Sequence, residues 1–136
     1  MKAIKKAKSN ELDFVLILED DVSLAIEFEY KVLSLIDSVK SWDMIYLRVS
    51  PPCNLTEYNS RLKRVRRMSG AFAYLVHSKF YDTLIETLSE SLKPCDGYYM
   101  DLQRSSEFFV SSEKLVRHLD GYSVRAEKMV VYPHLR

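Results

Sequence analysis

The chain has 136 residues, 47% apolar and 29% charged, enough for one hydrophobic core and short for two ordinary domains. Lys and Arg number 20 against 19 Asp and Glu, a net charge of +1, so no global field draws the molecule to nucleic acid or an anionic membrane, and electrostatic recognition has to be local. No apolar run approaches the roughly 20 residues of a membrane span, and the start MKAIKKAKSNELDF lacks the apolar core of a secretory signal, which predicts a cytoplasmic domain.

Lys2 to Asn10 reads as a short basic helix. Phe14-Val15-Leu16-Ile17-Leu18 is an apolar run too short for a helix, the pattern of a strand covered on both faces. It ends at Glu19-Asp20-Asp21. Ser23 then offers an N-cap, and Leu24, Phe28, Val32, Leu35 and Val39 recur at helical spacing, predicting a helix to about Lys40. Met44 to Leu47 is a second apolar strand. Val49 to Asn59, with Pro51-Pro52, reads as a loop. After the basic run Arg61 to Arg67 come Gly70, a β-prone run Ala71 to Val76, and a helix capped by Ser78 with Tyr81, Leu84, Leu88 and Leu92 on its buried side. Pro94 ends that helix. Short helices are predicted over Tyr98 to Arg104 and Glu113 to Leu119, a turn at Gly121, and a last strand over Met129 to Tyr132. Strands alternating with helices predict a single α/β domain over 1–136 with a mostly parallel sheet flanked by helices.

The most informative feature is the acidic triplet directly after an apolar strand. Ligands of open α/β sheets bind at the C-terminal ends of strands, and adjacent carboxylates there repel one another unless a cation sits between them. Such hard oxygen ligands suit Mn²⁺ or Mg²⁺ carrying a phosphorylated ligand. The plainer reading is one acid capping the next helix and two solvated ones.

Cys53 and Cys95 fall in no metal or redox spacing and read as buried or idle thiols. His77, His118 and His134 share no metal-ligand spacing either; His134, after Tyr132-Pro133 at the end of an expected strand, reads first as a surface histidine and second as one that approaches a metal. Tyr98-Tyr99 and Phe108-Phe109 are core residues or rings that stack on sugar faces. The run Arg61 to Arg67 carries five positive charges in seven residues. It reads as a solvated edge strand, or as a surface for a donor diphosphate, an anionic acceptor or phospholipid headgroups in a peripheral membrane contact. No nucleic acid is expected, since no aromatics are interleaved with it.

Two families place acids after such a strand. A phosphoreceiver domain needs an Asp at the end of a later strand, and Arg48 stands there instead. The second resemblance runs through several blocks in order. Leu16-Ile17-Leu18-Glu19-Asp20-Asp21-Val22, Trp42-Asp43-Met44-Ile45-Tyr46-Leu47, Ser69-Gly70-Ala71-Phe72-Ala73-Tyr74-Leu75-Val76 with Ser78-Lys79, Pro94-Cys95-Asp96-Gly97-Tyr98 and Val130-Val131-Tyr132-Pro133 together resemble glycosyltransferase family 25, the lipooligosaccharide and procollagen galactosyltransferase group.

That resemblance implies a GT-A-like fold, a metal-bound UDP-sugar and inverting transfer of a hexose, galactose by analogy, to a saccharide or protein hydroxyl. It implies Asp21 as direct metal ligand, Glu19 at the metal or ribose, Asp20 between them without an assigned role, and Asp96 as the base, with Asp101 in reserve. Asp96 as a simple helix cap is the competing reading. Arg64 and Arg66 are the expected contacts to the donor diphosphate. Members of that family carry a further stretch ahead of the acidic strand, so the expectation is the C-terminal portion of the fold. Activity on its own stays an open question, and a degenerate, self-associating binding module is the alternative.

Overall fold

The computed structural model describes residues 1–89, 93–123 and 128–131. Period-two side-chain placement builds the centre of the sheet. In β3 (Met44–Tyr46), Met44 and Tyr46 face one core, Ile45 and the following Leu47 face another, and all four are buried. β6 (Ala73–His77) and β7 (Phe108–Ser111) flank β3 and divide their side chains in the same way. The full order adds β1 (Phe14–Leu18) outside β6, then β5 (Leu62–Met68) and β4 (Cys53–Glu57) outside β7.

Helices α1 (Lys2–Ser9), α3 (Tyr81–Ser89) and α4 (Cys95–Leu102) cover one face through Ile4, Ala7, Leu84 and Tyr99. Helix α2 (Phe28–Asp37) covers the other through Val32 and Leu35, beside Trp42. Two small ladders complete the fold: β2 (Val22–Leu24) with β8 (Val116–His118), and β9 (Gly121–Ser123) with β10 (Lys128–Val130).

The chain is mixed α/β, but the sheet is mostly antiparallel rather than mostly parallel. Among the described residues only β3 and β7 pair in parallel; β6 runs against both β1 and β3, and β5 against both β7 and β4. The reason lies in the segment read as a loop. Cys53 to Glu57 forms β4 and turns into β5 as a hairpin, so the chain enters β6 from the opposite direction to a helical crossover. Pro51-Pro52, joined by a cis peptide bond, precede β4 and stay out of the ladder. Gly70, at φ 93°, sits where a Cβ would meet Ser50 Oγ at 2.9 Å, so this return is closed to larger residues.

Other boundaries move for equally local reasons. Val22 to Leu24 pairs with β8, so Leu24 is exposed and the helix starts at Phe28, after Glu27 in the left-handed region at φ 59°. Ser78 is not the cap of the third helix: it opens a 3-10 turn over Ser78–Phe80, where His77 Nδ1 accepts the Lys79 amide at 3.3 Å. α4 starts at Cys95, directly after Pro94, rather than at Tyr98. The helix predicted over Glu113 to Leu119 is strand β8, and Gly121 lies in β9 rather than in a turn. The last strand runs Lys128–Val130; Leu92, Tyr132 and His134 lie outside the described residues. Among the described residues no helix is long and apolar enough to cross a membrane.

Candidate metal centre

Because β1 and β3 both run against β6, and β7 runs with β3, the C-terminal ends of β1, β3 and β7 share one end of the sheet. Glu19 emerges there, its amide donating to the Phe72 carbonyl at 2.8 Å, and Asp20-Asp21 turn the chain into β2. The β2–β8 ladder then sets His118 opposite Val22, and the Leu119 amide donates to the Asp21 carbonyl at 2.7 Å. Residues nearly a hundred positions apart are thus fixed side by side through backbone hydrogen bonds.

Three ligand atoms, one each from Glu19, Asp21 and His118, lie within 4.8 Å of one another. His118 Nε2 is 3.6 Å from Asp21 Oδ1 and 3.7 Å from Glu19 Oε2. The His118 ring is buried edge-on against Phe72, with centroids 5.3 Å apart. Its Nδ1 lies 3.2 Å from the Leu119 carbonyl, which only accepts, so Nδ1 carries the proton of that hydrogen bond. Metal-ligating histidines are oriented in this way, with the far nitrogen donating to a carbonyl and the near lone pair aimed at the ion. Asp21 Oδ1 is buried and accepts no hydrogen bond from any described residue. A buried carboxylate oxygen in that state is costly unless a cation completes it. An ion about 2.1 Å from three donors holds them roughly 3 to 4 Å apart, and His118 Nε2 already lies at such distances from both carboxylates. The residues fit a divalent cation, and an imidazole beside two carboxylates favours Mn²⁺ or a softer ion over Mg²⁺.

Loss of solvent around Glu19, then the charge of Asp21, raise its carboxyl above the usual range, with His118 acting in the opposite direction. A raised carboxylate stabilises the fold most below its unfolded value and loses that contribution as pH rises through the folded one. Glu19→Gln is therefore expected to raise the melting temperature of the metal-free protein at pH 7 by about 1–3 °C, small because Glu19 is half-exposed, with no gain at pH 4. Thermal melts at the two pH values check it; equal shifts at both refute it.

The other expected site residues divide. Asp20 is exposed in the turn and outside the trio. Asp96 lies in the first turn of α4, half-buried, its Oδ1 accepting the Gly97 amide at 3.0 Å. The Cys95 thiol is raised by desolvation, then by Asp96, with a smaller push from Glu19. Asp101 is elsewhere: it pairs with Lys93, whose ammonium also lies 4.7 Å from the Tyr98 ring.

Arg64 is not at this centre. It pairs with Glu107 at 3.7 Å and stacks on Phe109 at 5.0 Å; Glu107 precedes β7, at the opposite end of the sheet from Glu19. Arg66 lines a separate cavity with Asp101. Tyr98, Tyr99, Phe108 and Phe109 are all buried, so none offers a ring to a sugar. Cys53 and Cys95 are free and reach the surface rather than being buried, although the Cys95 sulfur itself is partly shielded. His77 caps the 3-10 turn and packs edge-on against Trp42 at 5.0 Å.

His118 is the functional candidate that sequence reading missed. The sequence predicts a helix over its segment, Val116-Arg117-His118, and only the apolar–polar alternation there points to the strand that forms. Three cavities share residues of the Ser111–Leu115 segment at this end of the sheet, of about 350, 430 and 260 Å³, and none is lined by the trio. No protein-family model matches the chain, and no curated protein is significantly similar to it.

Proposed function

We propose that the domain binds a nucleoside-diphosphate sugar, a UDP-sugar by resemblance, through a divalent cation held by Glu19, Asp21 and His118, and transfers the hexose to a saccharide or protein hydroxyl with inversion. The observation that carries this reading is the buried Asp21 Oδ1, unsatisfied among the described residues and 3.6 Å from an oriented histidine at the C-terminal end of an apolar strand. The ordered sequence motifs from Leu16 to Pro133 support the same reading, which takes the sheet as part of a GT-A-like fold. Bound there, the cation supplies positive charge beside a leaving diphosphate. The chain's own part falls to Asp96 at the start of α4. As the acceptor oxygen bonds to the anomeric carbon and the bond to the β-phosphate oxygen breaks, Asp96 takes the acceptor's proton and the nucleoside diphosphate departs. Asp101, paired with Lys93 farther along the helix, is the reserve choice for that role.

Calorimetric titration of UDP and of UDP- and GDP-sugars, with and without Mn²⁺, tests this on the native chain and on Asp21→Ala. The expected result is Mn²⁺-dependent binding that the variant weakens by about 100-fold or more. A folded chain that binds no nucleotide overturns it.

One observation favours a second reading, an assembly module without catalysis. The apolar strand β1 is an edge of the sheet, and Leu18, Leu24, Ile26 and Tyr30 are exposed nearby in sequence. Under that reading the nucleotide-free chain self-associates, and a strict monomer at high concentration removes it.

A further inference from the structure

We propose that Arg66, Arg67 and Arg104, with Asn54, form a binding site for a phosphate group on an anionic ligand, separate from the acidic centre. A register slip between β4 and β5 brings these side chains together. Asn54 pairs with Arg67 and Leu55 with Val65, so Arg66 has no opposite residue and is the extra residue of a β-bulge. Strict alternation would send Arg66 and Arg67 to opposite sides of the strand. With the bulge, Val65 and Met68 are both buried in the same core, and the two arginines between them are both exposed.

Both arginines line one cavity of about 320 Å³, together with Asn54 from β4, Met100 and Asp101 of α4 and Arg104 in the turn that follows it. Asp101 lies five residues beyond Asp96, about 7.5 Å along the helix axis, so the cavity is at the far end of α4 from the proposed base. Its charge is unbalanced. Asp101 is already paired with Lys93, whereas none of the three arginines has an acidic partner among the described residues. Their neighbours on the same strand differ: Lys63 pairs with Glu57 at 2.9 Å and Arg64 with Glu107.

A solvated protective edge does not account for this arrangement. The edge strand is β4; β5 lies inside the sheet, between β7 and β4. Edge protection also gives no reason for Arg104 to converge from the turn after α4. Three guanidiniums from two elements, held around a cavity and left without counter-charges, match the forked donor geometry that phosphate oxygens accept. The volume admits a phosphate with part of the group that carries it, and Met100 gives that group an apolar wall. This inference does not depend on the nucleotide-sugar reading.

The test uses the full chain at constant ionic strength with three probes: inorganic phosphate, pyrophosphate, and vesicles of phosphatidylglycerol in phosphatidylcholine against phosphatidylcholine alone. Variants are Arg66→Ala/Arg104→Ala, Arg104→Ala, and a control of equal charge loss, Lys5→Ala/Arg61→Ala, with folding verified by circular dichroism. At least one phosphate probe is expected to bind, at least about tenfold more weakly to each cavity variant and unchanged to the control. Binding of soluble phosphates identifies a soluble phosphorylated ligand; binding of phosphatidylglycerol vesicles alone identifies a headgroup. No binding of any probe, or equal loss in the control, overturns the proposal.

Discussion

His118→Ala is expected to weaken Mn²⁺ binding by about 100-fold, with Asp21→Asn at least as severe and Asp20→Asn without effect. The ordering follows from geometry. His118 and Asp21 face one another at 3.6 Å, and Asp20 is exposed in the turn outside the trio. Electron paramagnetic resonance of free Mn²⁺ measures the three affinities directly. Because His118 is buried against Phe72, its removal also opens a space in the packing, so His118→Gln serves as the folded control. It keeps the volume and loses the imidazole lone pair. Mg²⁺ is expected to bind more weakly than Mn²⁺ to the native chain, and that gap narrows when His118 is replaced, because only the imidazole distinguishes the two ions. Undiminished Mn²⁺ affinity in both histidine variants sinks the assignment of His118 as a ligand.

Gln103→Ala is expected to cost about 3–5 kcal/mol of stability, a large share of what a domain of this size has. The side chain is 2% exposed and acts as a short piece of strand. Its Oε1 accepts the Met68 amide at 2.9 Å, and its Nε2 donates to the Met68 carbonyl at 2.8 Å and the Tyr46 hydroxyl at 3.1 Å. Truncation leaves three buried polar groups without partners at the point where β5 leaves the bulge. The Tyr46 phenol, raised far above its ordinary range mainly by burial, cannot ionise to compensate at neutral pH. Gln103→Glu is expected to fail as well, since a carboxylate accepts from the amide but cannot donate to the Met68 carbonyl. Urea unfolding measures both variants; a loss below about 1 kcal/mol for Gln103→Ala shows that water replaces the amide.

These two residues mark where sequence reading stops. Gln103 lies in a segment predicted as helical, yet nothing in its surroundings announces a side chain that pairs with backbone 35 positions away. His118 lies in a three-residue strand too short to carry a clear period, and its partners precede it by 97 and 99 positions. The arginines show the same limit from the other side. Their charge was plain in the sequence, but alternation predicted two opposing faces, and one bulge residue reversed that for Arg66 and Arg67.

Local chemistry was sufficient for what the sequence alone determined. The run Phe14 to Leu18 followed by Glu19-Asp20-Asp21, the apolar strand at Met44, and the basic helix at the start all rest on contiguous residues whose spacing dictates their structure. Strand direction, the histidine that completes the acidic pair, and the fate of each arginine depended on tertiary structure. They are set by which backbone edges find hydrogen-bond partners across the sheet, a long-range choice that period and propensity do not encode.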